Sequence, residues 1–113
     1  METYEVKFLQ EAYDDLEEIV LYITQDSRQA ALRMHDKIVE QANGLTVFPR
    51  RGRPVHDKKM AEAGYRMLDV KPYIAFYRII GGCVFIYRVL HGATNYPLLY
   101  ERMAQGIDAD GVE

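Results

Sequence analysis

"GYRMLDVKPYIAFYRIIGGCVFIYRVLHG" (residues 64–92) reads as three β-strands in succession, roughly 64–70, 73–80 and 83–91. β-branched and aromatic residues dominate the second and third runs, and turn residues separate all three. Gly81-Gly82 is a two-residue hairpin signal, because both positions tolerate positive φ. Lys71-Pro72 marks a second turn. If Ile80 faces Cys83 across the glycines, Arg78 lies opposite Phe85 and Phe76 opposite Tyr87. Residues directly opposite share a face. One face then carries Ile74, Phe76, Arg78, Phe85, Tyr87, Val89 and His91. The other carries Tyr73, Ala75, Tyr77, Ile79, Val84, Ile86, Arg88 and Leu90. A β-bulge in either strand would change this assignment.

Both faces are apolar enough to require cover. The segment before the sheet supplies some. "TYEVKFL" alternates over Thr3 to Leu9 and predicts an opening strand. From residue 10 to about 25 the apolar positions Ala12, Leu16, Ile19, Val20 and Ile23 fall at helical spacing, with acids on the opposite side. Asp26 or Ser27 can cap a second helix over about 28–46, whose stripe is Ala31, Met34, Ile38, Ala42 and Leu45. The short link predicts an antiparallel hairpin. "FPRRGRPVHDKK" is a basic loop punctuated by Pro49, Gly52 and Pro54. A short helix is expected around 96–105. The expected fold is α+β: an N-terminal strand, a two-helix hairpin on one face of a small, mainly antiparallel four-stranded sheet, and a C-terminal helix. One domain over 1–105 and an acidic flexible tail over 106–113 account for the 113 residues.

Two helices cover one sheet face, which leaves the other bearing aromatics, arginines and a histidine. That is interface chemistry, and it predicts a second molecule lying there. The charge is also uneven. The chain carries −3 overall, but residues 1–27 carry one lysine against eight acids, and residues 50–78 carry eight basic groups against three acids. The basic middle suits an anionic partner. Other chemistries find no support. His35, His56 and His91 lie on three separate elements with a single cysteine, so no metal-ligand spacing exists. No Gly-rich phosphate loop joins a strand to a helix, and no cofactor is implied. No apolar run reaches the roughly 18 residues of a membrane span. A lone Cys83 within a strand, with no secretory leader, predicts a cytoplasmic protein.

With "FPRRGRPV", "GYRMLDVKPYIAFYRI" and "VFIYRVLHGATNYPLLY" in this order, Tyr4 to Met103 resembles the RelE/ParE superfamily of bacterial type II toxins. The resemblance implies a growth inhibitor, associated with plasmid stabilisation, that a cognate antitoxin neutralises by wrapping around it. RelE-like members cut mRNA on the ribosome, whereas ParE-like members inhibit DNA gyrase. The ribonuclease pattern asks for two basic residues one apart on the strand after the loop, which are Arg66 and Leu68 here. It asks for an arginine after the tyrosine opening the next strand, where Ile74 follows Tyr73. A C-terminal tyrosine matches Tyr100, but Ala93, Thr94 and Asn95 supply no cation. An isoleucine in place of a guanidinium forfeits charge-assisted hydrogen bonds to phosphate. These departures favour the ParE-like branch, with Arg53, Arg66, Ile74, Phe76, Arg78, Phe85, Tyr87 and His91 as partner-binding residues. Were the chain a ribonuclease, Arg66, Arg78, His91 and Tyr100 would be its catalytic set. A degenerate relative acting only in complexes is the third reading.

Overall fold

In the computed structural model, which describes residues 2–104, the opening strand β1 spans Glu5–Phe8 and passes through Leu9 into helix α1, Gln10–Thr24. Helix α2, Arg28–Asn43, starts where the Ser27 hydroxyl accepts from the Ala30 N–H at 3.1 Å. This satisfies one of the amide donors that a helix start leaves over. A 3₁₀ turn, Gly44–Thr46, takes the place of the last turn expected of α2. A two-residue strand β2, Arg53–Pro54, and a short helix α3, Lys58–Glu62, follow. Then come β3, Arg66–Val70, β4, Tyr73–Ile80, β5, Cys83–His91, and helix α4, Tyr96–Ala104. The expected acidic tail lies outside the described residues.

The sheet has five strands rather than four, in the order β1-β5-β4-β3-β2. β1 runs parallel to β5 and the other pairings are antiparallel. The extra strand is β2, whose Arg53 and Pro54 pair with Met67 and Arg66. A two-residue run containing proline gives no period to detect. Both turns join strands directly: Ile80 pairs with Cys83 across Gly81-Gly82, and Val70 with Tyr73 across Lys71-Pro72.

The helix hairpin covers one face. Ala12, Leu16 and Ile19 of α1 and Ile38 and Ala42 of α2 pack with Leu45 on Val70, Ala75, Tyr77, Val84, Ile86 and Val89. Tyr77 is fully buried, yet its hydroxyl is satisfied. It donates to the Pro49 carbonyl at 2.8 Å and accepts from the Gly52 N–H at 3.0 Å. Gly52 has no room for a side chain, since a Cβ there would sit 2.6 Å from the Met67 carbonyl oxygen. So a core tyrosine holds the basic loop against the sheet.

The opposite face is not bare. Val55, Met60, Tyr65, Met67 and Phe76 form a second, smaller core, with Tyr96 and Tyr100 of α4 packed against it. The expectation of a face without its own cover is therefore corrected. Phe76 is sealed, 3% exposed, with the Tyr96 ring 4.9 Å away. The cover stops short of the Gly81-Gly82 end. There Ile80 is 45% exposed, and Arg78, Cys83 and Phe85 are half-buried. No helix among the described residues is long and apolar enough to cross a membrane.

Candidate functional site: an arginine set among tyrosines

The register of the hairpin holds from Ile80↔Cys83 to Tyr77↔Ile86 and then shifts, so that Phe76 pairs with Arg88. The additional residue is Tyr87. A bulge of this kind moves every later residue of one strand to the other face. Val89, expected on the open face, joins the helix-covered core. Leu90, expected beneath the helices, packs in the second cluster. His91 also crosses. It lies edge-on to Tyr73 with centroids 5.7 Å apart, and its Nδ1 accepts from the Ala93 N–H at 3.0 Å.

On the open face the central group is Arg78. Its guanidinium carbon stands 5.4 Å from the Tyr65 ring centroid and 5.8 Å from that of Tyr87. Arg78 Nη1 donates to the Tyr87 hydroxyl at 3.3 Å. Tyr65 packs edge-on against Tyr87 at 5.1 Å and against Tyr100 at 5.4 Å. A guanidinium over aromatic faces is attracted by the ring quadrupoles and keeps its remaining donors directed outward. Gly64, at φ 92°, opens the strand beside it, and a Cβ there would lie 3.9 Å from Arg78 Nε. Burial pushes the Tyr65 pKa up, with Tyr87 and Tyr100 adding to the shift and Arg78 opposing it. Tyr65 therefore stays a neutral phenol near neutral pH and is unsuited to act as a general base.

The other expected site residues divide. Ile74, Phe85 and Tyr87 share this face, and Phe76 lies beneath it where no partner reaches. Arg53 is on the same side but engaged: its Nε and Nη2 meet both Asp69 carboxylate oxygens at 2.9 and 3.1 Å. That bond, against the cost of burial, raises the Arg53 pKa. Arg66 is not with Arg78 at all. It sits opposite Tyr77 on the helix side and donates from Nη2 to the carbonyls of Gly52 and Arg50. Of Arg66, Arg78, His91 and Tyr100, only Arg78 and Tyr100 share a neighbourhood, through Tyr65.

Tyr65 was missed as a site residue. The signal for it was the Lys71-Pro72 turn: pairing Val70 with Tyr73 puts Tyr65 opposite Arg78 when the register is counted back. Also missed was the fate of Arg88. Its Nε and Nη2 meet the Asp15 carboxylate at 2.7 and 2.9 Å, and the same carboxylate accepts from the Val89 N–H at 2.9 Å. The bond to Asp15, ahead of the opposing cost of burial, raises the Arg88 pKa, with the charges of Asp15, Glu11 and Glu18 adding.

The chromosomal ParDE toxin–antitoxin system from P. aeruginosa is similar at 26% identity with a TM-score of 0.65, covering 79% of this chain and 96% of that one. The RelBE2 toxin–antitoxin complex from Mycobacterium tuberculosis is similar at 28% identity and TM-score 0.62, covering 83% and 97%. The YoeB/ParE toxin from Agrobacterium tumefaciens, 18% identical with TM-score 0.56 over 77% and 96%, shares the fold. No curated protein matches the chain. The model of the ParE toxin of the parDE type II toxin–antitoxin system matches residues 6–96, and the chain belongs to this family of toxins, within the RelE/ParE superfamily.

Proposed function

We propose that this toxin acts by binding rather than by cutting, that it inhibits DNA gyrase, and that a cognate antitoxin neutralises it by covering its exposed sheet face. One observation carries the reading. The groups an RNA-cleaving site would need are dispersed: Arg66 is spent on loop carbonyls, His91 lies across the sheet, and Arg78 has tyrosines for neighbours. Cleavage through a 2′-hydroxyl requires a base, an acid and cations around one phosphate. What remains together is a protein-binding surface. Arg78, Tyr87, Phe85 and Ile80 offer a cation, planar rings and an aliphatic edge at the uncovered end of the sheet. The similarity to ParDE and RelBE2 toxin–antitoxin systems supports the antitoxin as a partner.

Expression from an inducible promoter in cells carrying a DNA-damage reporter tests the reading. Growth arrest with reporter induction is expected, and Arg78→Ala should relieve both. Growth arrest without induction, accompanied by transcripts cut within translated codons, would instead establish the ribosome-dependent endoribonuclease. Harmless expression without antitoxin would identify a chain that serves only in complexes.

A further inference from the structure

The bulge that sends His91 across the sheet also builds a second feature. Between the outer turns of α1 and the end of β5 lies a groove of about 670 Å³. Its walls include Tyr22, Tyr73, His91 and Pro72, with Glu18 and the Asp15–Arg88 pair along one side. Tyr22 is 70% exposed although it is a large aromatic, and Tyr73 is buried beneath the groove with its ring near perpendicular to that of His91. The neighbouring cation, Arg88, is held by Asp15 through two hydrogen bonds. Glu18 forms no ion pair or side-chain hydrogen bond among the described residues. β1 pairs with β5 only as far as Ile86, so among the described residues no strand pairs with the β5 edge beside the groove.

We propose that this groove receives an arginine side chain from a partner protein, its guanidinium stacked on Tyr22 and paired with Glu18. Two features select that occupant. Aromatic rings beside a carboxylate that holds no ion pair attract a flat cation more than a neutral group. An apolar side chain alone would bury Glu18 without a partner, which costs more than it gains. The surroundings reinforce the sign, since Glu11 and Glu18 lie on the side of α1 where Asp15 already offsets Arg88, and residues 1–27 carry eight acids against one lysine. A phosphate or nucleic acid is repelled by the same charges. The inference rests on the reading that a partner protein binds this chain, and goes beyond it by placing a contact of stated chemistry outside the exposed sheet face.

The test uses the isotopically labelled full chain and two capped tripeptides, acetyl-Gly-Arg-Gly-amide and its norleucine counterpart, followed by NMR. With the arginine peptide, saturable shifts are expected at the Tyr22, Tyr73 and His91 rings. Norleucine should bind about tenfold more weakly. Glu18→Gln should weaken the arginine peptide by a similar factor, and Tyr22→Ala should abolish the ring shifts. Equal binding of both peptides would overturn the proposal. So would shifts of equal size at the outward carboxylates Asp14 and Glu17, or indifference to both substitutions. Concentration-dependent shifts at the same rings without peptide, lost in Glu18→Gln, would make the occupant a second copy of this chain and refute the partner assignment. Because the peptides read the groove directly, their result is independent of whether an antitoxin forms a complex with the chain.

Discussion

Asp15 shows how much one side chain can be asked to do. Its carboxylate, on the buried side of α1, accepts from Arg88 twice and from the Val89 backbone, beyond the point where β1 stops covering β5. The two side chains are 11% and 22% exposed, so the pair is largely desolvated. Breaking such a pair by removing one partner costs about 3–5 kcal/mol, because the other is left charged and unpaired. Arg88→Ala is therefore expected to lower the unfolding free energy, measured by urea denaturation, by that order. The double replacement Asp15→Leu with Arg88→Met should lose less than the single one. A single substitution within experimental error of wild type would show that the pair contributes nothing. Tyr77 is the second such residue. Tyr77→Phe leaves the Gly52 N–H and the Pro49 carbonyl without their partner, a loss of about 1–3 kcal/mol. Faster proteolysis within residues 48–53 than in wild type would report the loosened loop, and unchanged cleavage would argue against the hydroxyl as its anchor.

At the scale of elements, α1 and α2 differ from α4 in how they are held. The hairpin buries several side chains completely, including Ala31, Ile38 and Ala42. α4 docks mainly through rings, Tyr96 on Phe76 and Tyr100 on Tyr65, over a small apolar void of about 20 Å³ bordered by Met60, Leu90 and Leu99. A void leaves its lining atoms without dispersion partners on one side, so the seam is weaker than the main core. Segments with few buried contacts open locally at a fraction of the global free energy. Amides of α4 are thus expected to exchange with solvent before those of β4 and β5, at a rate that follows local opening rather than global unfolding. Simultaneous exchange of both regions would mean that α4 is an integral part of the main cooperative unit. The element was readable at residues 96–105, but what it covers was not, because helical spacing reports which residues seek burial and not against what.

For the molecule as a whole, two buried tyrosines on opposite faces link stability to pH. Burial is the first cause of the raised pKa at both Tyr65 and Tyr73, assisted by Tyr87 at the former and Tyr22 at the latter. In each case the folded state holds its proton more tightly than the unfolded chain. The stabilisation is complete below the unfolded tyrosine value, about 10. It is lost as pH rises through the higher folded values, because the unfolded state ionises first. Thermal midpoints should fall above about pH 10, with Tyr65→Phe and Tyr73→Phe each reducing the slope. A slope unchanged in both variants would assign the alkaline loss to other groups.

The order of β1, α1, α2, β3, β4, β5 and α4, the two tight turns and the family likeness were legible in the chain, because periodicity and turn chemistry are local properties, whereas β2 and α3 are too short to show a period. Ser27 as a cap, Ile80 facing Cys83 and the acidic first helix needed only near neighbours to act as they do. The placement of Val89, Leu90 and His91 was not legible, because one bulge at Tyr87 moves all three and nothing in "IYRVLHG" marks it. Nor was the use of Arg66 and Arg88, whose partners lie 14 to 16 and 73 positions away. Sequence pattern specified which side chains must leave water. Tertiary packing alone decided which face each one takes and which arginine remains free, since a guanidinium is committed only when distant acceptors arrive beside it.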